Sequence, residues 1–215
     1  MSASSSGNDK RKAAEIVKIL NTRFGEISWW PGDADEVMIG AILTQQTRWE
    51  NVERALFFLK EKNLCSLALL DTADPSVIEE AVRCTGFYRV KTRRLKALAA
   101  FVIGTCGGVD AMQTLPTATI RKGLLAINGI GEETADSILC YAFGRESFVI
   151  DAYTERIALC AGITTSRQEL KALFEKVLAE DPHVYHQTHA HIVEYAKQVC
   201  TKKRCEGCRI MALNE

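Results

Sequence analysis

Apolar residues recur with a helical period along almost the whole chain, and no other feature restricts the fold as much. Leu95, Leu98, Ala99, Val102 and Ile103 follow the i, i+3, i+4, i+7, i+8 stripe, and Leu170, Leu173, Phe174, Val177 and Leu178 repeat it. Val52, Ala55, Leu56 and Leu59 make a shorter stripe. Residues 37–43 (VMIGAIL) are apolar on every side, as a fully buried helix would be. Residues 147–150 (SFVI) form the one β-like run, too short to start a sheet. The periodicity predicts an all-α protein of about ten helices. Residues 104–116 read as the longest loop, and residues 71–76 as a turn leading into a helix.

At 215 residues and 47% hydrophobic, the chain can bury a sizeable core. Its length suits two interlocked subdomains. Residues 1–10 are small and polar and are expected to form a disordered tail without the apolar run of a signal peptide. No stretch approaches the roughly 20 apolar residues of a membrane span. The expectation is a soluble, cytoplasmic and nucleoid-associated monomer. Net charge is zero, which excludes a global pull toward polyanions. Local charge is uneven: Arg89, Lys91, Arg93, Arg94 and Lys96 crowd eight residues, and Lys202, Lys203 and Arg204 form a second cluster. Such a run is either a solvated helix face or an edge that contacts phosphates. Of the eight cysteines, Cys65, Cys84, Cys106, Cys140 and Cys160 lie among apolar residues and read as small core residues. Disulfides are not expected in the cytosol.

The most informative stretch is LLAINGIGEETADSILCYAF (124–143). An apolar helix end runs into Asn128-Gly129-Ile130-Gly131, and a second apolar helix follows. Two glycines around Ile130 allow a tight turn and expose backbone N–H groups at the second helix's N-terminus, a natural phosphate site. An ordinary helical hairpin with a glycine turn is the competing reading. Taken from Leu125 to Ala135, the string resembles the helix-hairpin-helix of the endonuclease III superfamily of DNA glycosylases, and the resemblance runs from about residue 12 to the C-terminus. It implies two helical subdomains with a DNA-binding cleft between them. Residues 30–145 would form a helical barrel with the hairpin at 117–143. Residues 11–29 and 146–215 would form the second subdomain, ending in a Cys-rich loop. The implied partner is double-stranded damaged DNA, contacted by Gly129, Ile130, Gly131, Glu132 and Thr134 of the hairpin and by Arg93 and Arg94. A monovalent cation at the turn carbonyls belongs to the same resemblance.

The family's catalytic aspartate corresponds to Asp151, ahead of the helical AYTERIAL. Local sequence alone makes it a helix N-cap, and both roles are compatible. Family members that also cleave the strand carry a Schiff-base lysine two residues after the second hairpin glycine; here that residue is Glu133, which cannot form an imine. The expectation is therefore a glycosylase that hydrolyses the base–sugar bond and leaves an abasic site. One alternative is an endonuclease III-like glycosylase/lyase acting on oxidised bases. Another is a non-catalytic DNA-binding protein that keeps the hairpin.

All three tryptophans, Trp29, Trp30 and Trp49, fall within 21 residues. The segments SWWP and LTQQTRWE resemble the 3-methyladenine branch of the superfamily, whose aromatic side chains sandwich an alkylated purine. An aromatic face suits such a base, because N-alkylation leaves it cationic. Trp30 and Trp49 make the expected clamp, with Trp29 as wall and Lys197 near the pocket. Core packing is the alternative for each indole. Gln46 takes the family's wedge position, with Gln45 as the fallback. His186, His189 and His191 raise the idea of a metal cluster, but without a clear third ligand they read better as hydrogen-bonded histidines. Cys200, Cys205 and Cys208 resemble the family's [4Fe–4S] motif, with a shortened first spacing and Asn214 where the fourth cysteine would fall. A cluster, zinc and no metal all remain open there, and the hydrolysis needs none of them.

Overall fold

A computed structural model describes residues 3–29, 32–201 and 205–214, with the side chains of residues 3–6 left aside. The described residues contain helices and turns and no strand, so the all-α reading holds. Twelve α-helices are present among them. The chain forms two compact units, one made of Met1–Trp29 with Gly144–Glu215, the other of Trp30–Phe143. No described helix is long and apolar enough to cross a membrane.

The central unit holds α2 (Ala34–Leu43), α3 (Trp49–Glu61), α4 (Leu67–Thr72), α5 (Pro75–Val82), α6 (Tyr88–Ala100), α7 (Val109–Thr114), α8 (Thr117–Leu125) and α9 (Glu132–Ser137). Helix α2 is its axis: Val37 through Leu43 are all buried, as their uniform apolarity requires, and α3, α6 and α9 pack around it. Asp33 starts α2 by accepting from the Glu36 N–H. Asp74 starts α5, with Pro75 at the first helical position. Helix α7 lies inside the stretch expected to be a loop: Gly107 and Gly108, both at positive φ, reverse the chain and leave room for one short helix. Helix α9 passes directly into a π turn, Ile138–Ala142, whose Ile138, Leu139 and Cys140 are buried.

Lys91 is an exception in this core. It is 1% exposed. Its ammonium donates to the Leu43 carbonyl (2.8 Å) and the Thr85 carbonyl (2.9 Å). It therefore closes the C-terminal end of α2 with a side chain from α6, where intrahelical donors have run out. Burial pulls its pKa down to about 8.

The second unit holds α1 (Ala3–Arg23), α10 (Ala152–Cys160), α11 (Arg167–Val177) and α12 (Pro182–Tyr195), continued by a π turn over Ala196–Cys200. Helix α1 packs on α11 and α12, and α12 packs on α10. The disordered tail expected over residues 1–10 is replaced by a helix beginning at Ala3. The stripe Ala13, Ile16, Ile19 and Leu20 is buried, and a helix nucleated there propagates backward at one hydrogen bond per residue. The β-like residues 147–150 are buried outside any helix or strand, and α11 takes the place of a strand partner. Phe148 N–H donates to Glu175 Oε1 (3.0 Å), and Lys171 Nζ donates to the Phe148 carbonyl (2.9 Å). Phe148 also stacks on Phe174 at 4.8 Å. This bracing fixes the segment that delivers Asp151.

Lys91→Met should lower unfolding free energy by about 1–3 kcal/mol, because two buried carbonyls lose their donor. The pH dependence gives a second check. Folding lowers this pKa, so the unfolded chain binds the extra proton between about pH 8 and 10.5, and Lys91's contribution to stability rises with pH over that window. Urea unfolding of the parent and the variant across that range should show the parent's advantage growing with pH; a constant or shrinking difference would contradict a buried ammonium.

Candidate functional site

In the central unit, the turn between α8 and α9 is built by two glycines with different tasks. Gly129 has φ +91, a conformation that favours glycine, and a Cβ there would also run into the Arg94 side chain. Gly131 is extended, with φ −92 and ψ −179, and caps α9; a Cβ there meets nothing within 4 Å. Only the first glycine is demanded by the turn, while the second leaves the approach to the α9 backbone open. Ile130, between them, is buried.

Polar side chains hold this turn. Gln45 Nε2 donates to the Gly129 carbonyl (3.1 Å) and to the Thr134 hydroxyl oxygen (3.0 Å), while Gln45 Oε1 accepts from Arg94 Nη1 (2.5 Å). Behind the turn, Arg121 on α8 grips Asp136 on α9 as a fork, at 2.8 and 3.2 Å, and lies 3.5 Å from Glu132. Gln45 and Arg94 thus brace the hairpin from inside, and Thr134 is buried with them. The neighbouring Gln46 is exposed and sits at φ +54. A non-glycine residue there is strained, and such positions cluster where a side chain must be presented.

The basic run on α6 separates in the same way. Lys91 and Lys96 donate to backbone carbonyls, Arg94 braces the hairpin, and Arg89 lies 3.7 Å from Glu79. Arg93 is exposed. Neither a solvated face nor a uniform phosphate edge describes it. The second basic cluster, Lys202 to Arg204, lies outside the described residues. Sequence reasoning missed Phe87, which is 66% exposed at φ +46 just ahead of α6. The signal available was weak: an aromatic residue after a glycine.

In the second unit, Asp151 caps α10. Its Oδ1 accepts from the Thr154 N–H (2.7 Å) and the Thr154 hydroxyl (2.9 Å), and its Oδ2 stands 3.5 Å from His189 Nε2. Burial alone would push this carboxyl up. The His189 charge and the Thr154 hydrogen bonds outweigh burial and hold it below its ordinary 3.8. Because folding lowers this pKa, the ionised form adds stability above the ordinary value, and that stability fades as pH falls through the folded one.

Trp29 belongs to the same unit, and its indole N–H is buried without an acceptor among the described residues. Lys197 Nζ lies 5.1 Å from the Trp29 ring centroid. The structure therefore brings Trp29 and Lys197 together, with a cation already on the indole face. Trp49 is partly buried against the core of the central unit. Trp30 lies outside the described residues. His186, His189 and His191 of α12 are tied into hydrogen bonds and packing. His186 Nε2 donates to the Trp29 carbonyl (3.1 Å), and His191 Nε2 donates to the Gly25 carbonyl (2.9 Å).

Among the described residues, no group of three or more His, Cys, Asp or Glu side chains could hold a metal ion. Asn214, which stands where a fourth cysteine would fall, packs its side-chain amide against Gly162. Tyr195 OH lies 3.2 Å from Cys208 Sγ. Of the five cysteines expected in the core, only Cys140 is buried; Cys65, Cys84, Cys106 and Cys160 are half-buried. Burial pushes the Cys160 thiol up, and Cys208 and Cys205 push it further, so the fold carries Cys160 toward the C-terminal cysteines. Nothing local in the sequence signals that approach.

Fold and site together define an all-helical helix-hairpin-helix protein in which, downstream of the hairpin, Asp151 caps a helix and is held in its charged form. A model of the HhH-GPD superfamily of base excision DNA repair proteins matches residues 39–180, and the chain belongs to that superfamily. A candidate DNA repair glycosylase of Methanocaldococcus jannaschii is 43% identical over 203 residues, covering 91% of this chain and 92% of that protein. Endonuclease III of Thermotoga maritima is 27% identical over 200 residues, covering 91% and 87%. Among solved structures, the H. pylori 3-methyladenine DNA glycosylase MagIII, bound to 1,N6-ethenoadenine, matches with a TM-score of 0.77 and 30% identity, covering 86% of this chain and 97% of that one. An endonuclease III–DNA covalent intermediate matches with a TM-score of 0.79 at 21% identity, covering 95% and 94%, a likeness of fold.

The two glycines should respond differently to substitution. Gly129→Ala should cost at least about 1–2 kcal/mol, from forced positive φ and displacement of Arg94. Gly131→Ala should cost under about 1 kcal/mol, because an extended cap residue tolerates a Cβ. Thermal unfolding of the two variants measures the contrast, and equal losses would contradict it.

Proposed function

We propose that this chain is a monofunctional DNA glycosylase that removes an alkylated purine from duplex DNA. Asp151 carries this reading: a largely enclosed carboxylate held in its ionised form at a helix N-terminus, in a chain of this superfamily. Glu133 supports hydrolysis over strand cleavage, because the position of the Schiff-base lysine holds a carboxylate. The alkylpurine assignment is supported by the Trp29, Trp30 and Trp49 segments and by the likeness to MagIII.

In the proposed reaction the damaged nucleotide leaves the stack and enters the pocket. The C1′–N bond breaks and the base departs with its electron pair, leaving a cationic sugar. Asp151 stabilises that cation. Water adds at C1′ and gives up a proton, leaving free base and an abasic site. A purine that is already cationic leaves without a general acid, which suits a site organised around one carboxylate. The hairpin backbone at Gly129–Gly131 would hold the DNA backbone, with Glu132, Thr134 and Arg94 shaping that turn and Arg93 free to meet a phosphate. Gln46 and Phe87, on loops joined through Lys91, would enter the space left by the flipped nucleotide. Lys197 and Trp29 would form one wall of the base pocket.

Asp151→Asn is the decisive variant, because Asn caps a helix nearly as well as Asp. Folding and duplex binding should persist, while base release falls by roughly 10²–10³-fold. Release should be measured on duplexes carrying 3-methyladenine, 1,N6-ethenoadenine, uracil or thymine glycol. Preference for either purine supports the substrate assignment, and preference for a pyrimidine overturns it. Borohydride should trap no covalent complex on abasic DNA, and a trapped complex would defeat the reading of Glu133.

A further inference from the structure

Asp151 is held from two sides. Thr154 saturates Oδ1 with two short hydrogen bonds, a standard capping arrangement. The other oxygen faces His189 Nε2 at 3.5 Å, an ion-pair distance rather than a well-formed hydrogen bond. The side chains are 7% exposed for His189 and 14% for Asp151, so this electrostatic contact is poorly screened by water.

The imidazole is itself fixed. Phe148 meets it edge to face, with centroids 6.4 Å apart and planes at 88°. Phe148 is in turn packed on Phe174 and Tyr185. From α10 the pair is faced by Thr154, from α12 by His186, and from the segment ahead of α10 by the Phe148 ring. His186 is engaged with the Trp29 carbonyl, and burial lowers its pKa, so it favours the neutral form and competes little for Asp151.

We propose that His189 is a positioning residue for Asp151, keeping its carboxylate charged and turned in one direction from a buried aromatic corner. A buried carboxylate without such a neighbour drifts toward its neutral form, and a neutral carboxyl cannot stabilise a cationic sugar. This role rests on the reading of Asp151 as the catalytic carboxylate.

The test is the pH profile of base release by the full chain in single-turnover assays, on the best released lesion of the duplex panel above. Two variants are compared with the parent: His189→Gln, which keeps a donor near the Nε2 position and removes the charge, and His189→Leu, which removes both. With His189 gone, burial of Asp151 is less opposed and its carboxyl protonates at a higher pH. The variant-to-parent rate ratio should therefore fall as pH is lowered from 8 toward 4, and for a one-unit shift it approaches about tenfold only where the pH lies below both carboxyl values. Gln should retain more rate than Leu at pH 8, because it preserves orientation. In variants that stay folded over the pH range, a ratio that stays constant or rises toward low pH would overturn the proposal. Should Leu fail to fold, the Gln profile decides by the same criterion. Asp151→Asn separates the two levels of the argument: if it keeps full activity, the functional reading fails. If it is inactive while the His189 profiles parallel the parent, only the positioning role fails.

Discussion

An all-helical chain of short helices must satisfy many helix ends, and that constraint organises the polar chemistry of this protein. Each end leaves backbone donors or acceptors that no intrahelical bond reaches. Asp33, Asp74, Asp151, Ser166 and Asp181 meet the donors at N-termini. Lys91 meets a carbonyl at the end of α2, and Lys96 meets carbonyls at the end of α4. Gln187, His186 and His191 bind backbone groups of residues 25–29. Residues that look functional by type are therefore drawn from a set already committed to structure.

The same constraint explains what the sequence made legible. Helical stripes are local, so the buried faces of α2, α3, α6 and α11 follow directly from spacing. Asp151 as a cap is equally local. The basic run on α6 could not be read this way, because its partners are carbonyls 48 and 25 residues away in sequence. Gln45 and Gln46 are adjacent and identical in type, yet one is folded inward against the hairpin and the other is exposed at positive φ. No periodicity separates them. Cys160 was grouped with the core by its neighbours, although its thiol responds to cysteines more than 40 positions on.

The hairpin illustrates how little of such a turn the glycines determine. Gly129 permits the reversal, but Gln45, Arg94 and the Arg121–Asp136 fork hold its angle. With Asp136 buried and Arg121 partly exposed, a fork of this kind adds little net stability, since desolvation costs nearly what the attraction returns. Its directional bonds leave α8 and α9 one mutual arrangement in which both carboxylate oxygens are satisfied. The polar network thus supplies geometry, and the apolar core around α2 supplies stability.

Asp151 lives under two opposed requirements. A carboxylate with too few donors in a buried place takes up a proton, and one with too many loses the capacity to attract a developing cation. Its two oxygens divide these duties. Oδ1 is filled by Thr154 at 2.7 and 2.9 Å, which anchors the group and adds to the favourable field at the start of α10. Oδ2 has its neighbour at 3.5 Å, close enough for electrostatic support and too far to occupy its lone pairs. In the proposed reaction it is thus Oδ2 that would accept from a water or face a cationic sugar, and the capping bond that makes Asp151 look purely structural is what leaves that oxygen in reserve.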